Sequence, residues 1–71
     1  MEKFSKRLKE LREEHKLTQR ELVIKLKFSI TQPSIAMWES GKRIPSLEAA
    51  AILAQFFNVS LDYLAGLVDF K

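Results

Sequence analysis

The chain has 71 residues, of which 46% are hydrophobic, and it carries a formal net charge of +3. It contains no cysteine and one histidine, which excludes disulfide bonds and metal sites built from thiolates or several histidines. No apolar run is long enough to cross a bilayer, and charges follow Met1 directly. We therefore expect one small cytoplasmic domain, residues 1–71, stabilised by packing alone.

Positive charge is concentrated in the first two-thirds of the chain. Residues 1–45 carry eleven Lys or Arg and six Asp or Glu, whereas residues 46–71 carry one and three. This asymmetry favours a polyanion-binding face backed by a structural or assembly face. The alternative is an ordinary solvated helix surface, since such surfaces are commonly rich in lysine.

Apolar residues at helical spacing predict an all-α protein of five short helices without a strand. The first helix covers residues 2–14 and presents one apolar face between charged residues. Thr18 and Glu21 have the spacing of a capping box, which predicts that the second helix starts at Thr18.

The third helix has the clearest boundaries. Thr31 is a suitable N-cap, Pro33 falls in the first turn where a missing N–H is tolerated, and Gly41 is a helix terminator. Ile35 and Trp38 are spaced to face the core, whereas the outward side carries no charge. An uncharged exposed side between basic segments predicts a helix that inserts into a specific partner.

Two further helices, over residues 46–57 and 60–66, complete a compact five-helix bundle and leave a tail at 67–71. Asn58 is expected to cap the fourth helix in the left-handed conformation. The apolar faces predict a single core formed by Phe4, Leu8, Leu11, Leu17, Leu22, Leu26, Ile35, Trp38, Leu47, Ala50, Leu53, Ala54, Phe57, Leu61 and Leu64.

Several segments in order resemble the Cro/CI-type (XRE) helix-turn-helix family of phage and bacterial transcriptional regulators. They include Leu17-Thr-Gln-Arg-Glu-Leu22, Gln32-Pro-Ser-Ile-Ala-Met-Trp-Glu39, Gly41-Lys-Arg and Asn58-Val-Ser-Leu-Asp-Tyr-Leu64. The resemblance covers about residues 3–66 and implies a lambda-repressor-like domain of bacterial or phage origin, with its helix-turn-helix at about 18–40. It further implies a repressor that binds operator DNA as a homodimer, with the third helix in the major groove.

This docking geometry assigns roles to individual side chains. Gln32 can pair with an adenine edge, and Ser34 can reach a base edge or a phosphate. Pro33 and Met37 offer apolar contact to thymine methyl groups. The residues expected at backbone phosphates are Thr18, Gln19, Ser40, Lys42 and Arg43.

Arg12 and Glu39 match positions at which family members pair the first helix with the end of the third. We expect them to form a structural ion pair rather than to contact DNA. Trp38 is expected in the core rather than at a phosphate, and His15 at a solvated helix end.

The chain departs from the family between Leu26 and Ile35, where it has two residues more and lacks the usual turn glycine. We expect the second helix to continue to about Phe28, so that Phe28 covers Ile24.

A second departure is an apolar stripe on the fourth helix. Ile52 and Phe56, together with Leu67 and Phe70 of the tail, are predicted to form a dimer surface. The alternative is that the tail folds back and covers the stripe within one monomer.

The sequence favours no enzymatic function, because it lacks a nucleophile–base–acid set and a glycine-rich phosphate loop. We expect no cofactor, no metal, no small-molecule substrate and no membrane partner. The alternative to DNA binding is a protein-interaction module, such as an antitoxin or assembly partner, that uses the apolar stripe of the fourth helix.

Overall fold

Five α-helices joined by short turns make up residues 2–71, the part of the chain that the computed structural model describes. They are α1 (Glu2–Glu14), α2 (Gln19–Lys25), α3 (Gln32–Glu39), α4 (Leu47–Phe57) and α5 (Leu61–Ala65). The described residues contain no strand, and the predicted all-α, five-helix fold class is confirmed. None of the described helices is long and apolar enough to span a membrane.

A Ser or Thr side chain starts each helix after the first. The hydroxyl oxygens of Thr18, Thr31, Ser46 and Ser60 each accept from the backbone N–H three residues later, at 3.0–3.3 Å. The backbone N–H of Thr18 also donates to the Glu21 carboxylate at 2.8 Å, which completes the capping box. Each cap satisfies a donor that the first turn leaves unpaired and contributes about 1 kcal/mol.

All five helices end with the same pair of backbone hydrogen bonds. A residue with positive φ donates to the carbonyl three residues back, and the next residue donates to the carbonyl five residues back. This Schellman arrangement satisfies the last carbonyl groups and reverses the chain. The positive-φ residues that donate the first of these two bonds are Lys16, Lys27, Gly41, Asn58 and Gly66. The expectation of a left-handed cap at Asn58 is therefore confirmed.

The second helix is shorter than the sequence predicted. It ends at Lys25, and the chain then turns through Lys27 and Phe28, whose φ angles are 55° and 62°. The expectation of a helix to Phe28 that covers Ile24 is wrong, since Phe28 is 72% exposed and Ile24 is 52% exposed. The early stop has a physical reason, because it leaves both Leu26 and Ile30 buried.

Most of the predicted core is buried around one apolar cluster. Trp38 lies in it as expected, 7% exposed and edge-on to Phe4 with 6.3 Å between ring centroids. The prediction that Leu47 belongs to the core is wrong, since its side chain is 74% exposed. The buried residues of α4 all lie in the second half of that helix. The predicted core also omits Val23 and Ile30, which are both buried. The buried cluster comprises Phe4, Leu8, Leu11, Leu22, Val23, Leu26, Ile30, Ile35, Trp38, Leu53, Ala54, Phe57 and Leu64, with Leu17 and Leu61 half-buried against it.

The tail after α5 folds back onto α1. The Arg7 guanidinium donates to the carbonyl oxygens of Tyr63 and Val68, pairs with the Asp69 carboxylate at 3.2 Å and lies 4.1 Å from the centre of the Tyr63 ring. Leu67 and Phe70 nevertheless stay 76% and 74% exposed. The folded-back tail therefore leaves Leu67 and Phe70 in solvent.

His15 lies at the end of α1, as expected for an exposed helix end, but its ring also contacts α4. Its Nδ1 lies 2.9 Å from the Leu11 carbonyl oxygen, and its ring meets Phe57 edge-on at 5.0 Å between centroids. The histidine thus joins α1 to the last turn of α4.

Gly66 and Gly41 provide a matched test of the packing of α5 against α1. A Cβ added at Gly66 would lie 2.8 Å from the Lys3 Cβ, whereas one at Gly41 would meet nothing closer than Ser5 Oγ at 3.8 Å. We expect Gly41→Ala to lower the free energy of unfolding by about 1–2 kcal/mol, the cost of a left-handed alanine. Gly66→Ala is expected to lower it further, because α5 must also move away from α1. Urea unfolding of both variants measures the difference, and equal losses would contradict the close packing at Gly66.

Candidate nucleic-acid interface

The helix pair α2–α3 places one side of α3 in the core and the other in solvent. Ile35 is fully buried and Trp38 nearly so, because both lie on the side that packs against α1 and α2. Gln32 and Pro33 are exposed, and Met37 is 39% exposed. The outward side of α3 therefore presents an amide, a proline ring and a thioether, with no charge.

The start of α3 carries the candidate base-reading groups. Ser34 is half-buried, and its hydroxyl oxygen accepts from the Thr31 hydroxyl at 3.0 Å, which leaves the Ser34 proton available to a base or a phosphate. The Gln32 amide makes no hydrogen bond to another described residue, so both its donor and its acceptor are available to an adenine edge.

The candidate phosphate-binding residues differ in how far their side chains are already engaged. Lys42 and Arg43 are exposed and form no ion pair with a described residue. The Ser40 hydroxyl donates to the Met37 carbonyl at 3.0 Å, so its proton is committed within the protein. Thr18 uses its hydroxyl oxygen as the cap of α2. Lys42 and Arg43, which follow α3 directly, are thus the best-placed candidates for phosphate contacts.

Arg12 and Glu39 form a two-pronged ion pair between α1 and the end of α3. Arg12 Nε lies 2.8 Å from one Glu39 carboxylate oxygen, and Arg12 Nη2 lies 2.9 Å from the other. The two side chains are 11% and 5% exposed. The hydrogen bond to Glu39 and its negative charge together raise the pKa of Arg12 above its ordinary value, although burial acts in the opposite direction.

Two further groups complete this cluster, and sequence reasoning missed both. The Arg12 Nη1 donates to the Leu17 carbonyl oxygen at 2.7 Å, and the Gln19 amide donates to Glu39 at 3.1 Å. Gln19 was predicted at a phosphate, but one of its two N–H groups is already bound to Glu39. The sequence indicates only that Gln19 is the first residue of α2. That position alone does not identify Glu39 on α3 as its hydrogen-bond partner.

The α2–α3 pair lies within a segment that matches a known protein family. Residues 8–64 match a protein-family model described as Helix-turn-helix. The chain belongs to this family. No solved structure is significantly similar to the chain.

Three curated relatives carry names of the same kind. The uncharacterized HTH-type transcriptional regulator YobD of Bacillus subtilis is 38% identical over 93% of this chain and 57% of its own length. The HTH-type transcriptional activator BcrR of Enterococcus faecalis is 39% identical over 86% of this chain and 29% of its own length. The uncharacterized regulator YqaE of Bacillus subtilis is 39% identical over 86% of this chain and 51% of its own.

The chain therefore spans about half the length of two of these relatives and less than a third of the other. The family and the relatives' names support DNA-binding transcriptional regulation, and they leave repression and activation undistinguished. The expectation of repression stays a prediction. Among the described residues, no group of three or more His, Cys, Asp or Glu side chains is arranged to hold a metal ion.

We expect the Arg12–Glu39 pair to contribute strongly to stability, because breaking a buried pair leaves an uncompensated charge. Arg12→Ala and Glu39→Ala are each expected to lower the free energy of unfolding by about 3 kcal/mol or more. The double variant is expected to lose much less than the sum of the two single losses. Chemical denaturation of the four proteins measures this coupling.

The pair Lys71–Glu14 is the matched control. Its atoms are also close, at 3.0 Å, but both side chains are about half exposed. We expect no measurable coupling there, since exposed pairs are screened by solvent. Equal coupling in the two cycles would contradict the role of burial at Arg12 and Glu39.

Proposed function

We propose that this chain is a helix-turn-helix domain that recognises specific double-stranded DNA sequences within a transcriptional regulator, with α3 in the major groove. The observation that carries the proposal is the construction of α3. Ile35, Trp38 and Glu39 anchor one side of the helix, while the other side is exposed and uncharged. Lys42 and Arg43 follow it directly, and neither forms an ion pair with a described residue. Hydrogen-bonding and apolar groups on a fixed helix suit base edges, and flanking cations suit phosphates.

In this proposal the side chains divide into two groups. Gln32, Pro33, Ser34 and Met37 contact base edges, while Lys42 and Arg43 pair with phosphates on the flanking backbone. Thr18, Gln19 and Ser40 are supporting phosphate contacts. Because the side chains of Gln19 and Ser40 already donate within the protein, their share of the affinity is expected to be small.

We further propose that the protein acts in the cytoplasm, without catalysis, cofactor or small-molecule substrate, and that residues 1–71 act as one domain. It binds its operator as a homodimer through Ile52, Phe56, Leu67 and Phe70. The exposure of Leu67 and Phe70 supports this surface, and Arg7 holds the tail that carries them. Ile52 and Phe56 contribute less, because they are half-buried against the core.

DNA binding predicts a steep dependence of affinity on salt, because each phosphate contact releases counterions. We expect Lys42→Ala and Arg43→Ala to weaken binding to all sequences alike and each to reduce the salt slope by about one. Gln32→Ala is expected to remove the preference for one base, worth about 1–3 kcal/mol, while leaving the salt slope nearly unchanged. Selection from a random duplex pool, followed by titration at several salt concentrations, measures both effects.

Two results would contradict this assignment. An unchanged sequence preference in Gln32→Ala would remove this residue from direct readout. Weak binding that is independent of salt, together with tight binding to a second protein, would instead favour the protein-interaction module.

The homodimer can be tested without disturbing the core. Leu67→Glu and Phe70→Glu place a charge on side chains that are about three-quarters exposed, so we expect the free energy of unfolding to stay nearly constant. Both variants are expected to sediment as monomers and to lose cooperative binding to half-sites about 34–36 Å apart. A wild-type protein that sediments as a monomer on a two-half-site duplex would count against the dimer.

A further inference from the structure

The turn between α2 and α3, residues 27–29, holds an aromatic side chain in solvent. Lys27 and Phe28 both have a left-handed backbone, with φ angles of 55° and 62°. This conformation is unfavourable for residues other than glycine, and two such residues in succession are unusual. The Phe28 side chain is 72% exposed.

The fold fixes the direction in which Phe28 points. Leu26 and Ile30, on either side of the turn, are buried, and the Ser29 hydroxyl donates to the Leu26 carbonyl at 2.8 Å. With both flanking residues held in the core, the tip of the turn must project outward. This explains why residue 28 is exposed, but it does not explain why the residue is a phenylalanine. Turn tips usually carry Gly, Asn, Asp or Ser.

The surroundings of Phe28 match one kind of partner. Lys25 and Lys27 are both exposed and form no ion pair with a described residue. An exposed ring that follows two such cations in the chain is complementary to a polyanion that also has apolar groups on its surface. Duplex DNA is such a polyanion, because the thymine methyl groups line its major groove between the phosphates.

The turn also lies within reach of the groove that α3 occupies in the proposed function. Phe28 is four residues from Gln32, so their Cα atoms are at most about 14 Å apart. Stacked base pairs rise by about 3.4 Å. The Cα atoms of Phe28 and Gln32 are therefore separated by no more than about four base-pair steps.

We propose that Phe28 is a second base-reading residue, whose ring packs against the methyl group of a thymine near the base read by Gln32, while Lys27 pairs with an adjacent phosphate. The inference rests on the proposed DNA binding and adds a contact outside α3. It gives the enlarged turn of this chain a role in sequence recognition.

The test removes the methyl group from the DNA and the ring from the protein. Each thymine of a selected duplex is replaced in turn by deoxyuridine, and binding by wild type and Phe28→Ala is measured by fluorescence anisotropy. At one position we expect the replacement to weaken wild-type binding about three- to tenfold and to leave Phe28→Ala unaffected. On the intact duplex, Phe28→Ala is expected to bind more weakly by the same factor.

Leu47→Ala is the matched control, because Leu47 is 74% exposed and lies outside the proposed DNA and dimer surfaces. We expect it to bind like wild type. A Lys27→Gly variant separates charge from backbone conformation. It is expected to reduce the salt slope by about one and to raise the melting temperature, since glycine adopts a left-handed backbone without strain.

The possible failures are distinguishable. If Phe28→Ala binds like Leu47→Ala, or keeps the whole deoxyuridine profile of wild type, the inference is overturned and DNA binding stands. If Phe28→Ala changes the sedimentation of the protein but not its deoxyuridine profile, the turn is a protein contact and the inference is overturned. If wild type binds no duplex at any salt concentration, the inference and the proposed function fall together.

Discussion

The carboxylate of Glu39 fixes the position of α3, and the candidate interface depends on it. It accepts two hydrogen bonds from Arg12 on α1 and one from Gln19 at the start of α2, so three helices meet at one nearly buried group. An eight-residue helix is too short to be stable in isolation, and its orientation must come from such tertiary contacts. Ile35 and Trp38 fill the space beneath α3, whereas the ion pair sets its register against α1.

The direction of the Arg12 pKa shift keeps the guanidinium of this anchor charged in the neutral pH range. A cation whose folded-state pKa is raised contributes stability below its unfolded pKa and loses that contribution only as pH rises through the folded value. For Arg12 that window lies far above neutral pH, because Glu39 raises a pKa that is already high. The guanidinium therefore stays charged, and the pair is also protected from salt by its burial. Changes in salt act on Lys42 and Arg43 instead, which are exposed.

The parts of the fold that follow from local chemistry could be predicted from the sequence. Thr18, Thr31, Ser46 and Ser60 cap helices through bonds to residues only three positions away, so the spacing alone identifies them. The turn after α2 could not be predicted, because Lys27 and Phe28 adopt a backbone that their side chains disfavour. The burial of Leu26 and Ile30 outweighs the unfavourable backbone of Lys27 and Phe28. Which of these residues become buried depends on how the helices pack, and the local sequence does not specify that packing. The same limit applies to Gln19, whose partner on α3 is twenty positions away.

The end of α3 explains how a helix without cations on its outward side could bind a polyanion as proposed. Gly41 has a φ angle of 78°, and the two N–H groups that follow Ser40 bond back to Trp38 and Met37. The chain therefore leaves the axis of α3 at once, so Lys42 and Arg43 stand beside the helix rather than in line with it. A cation on the outward side of α3 would bind phosphates or guanines and would hold the helix on many sequences. In the proposed function, this separation assigns affinity to Lys42 and Arg43 and sequence discrimination to the outward side of α3, because phosphate contacts position a protein and base contacts select the site.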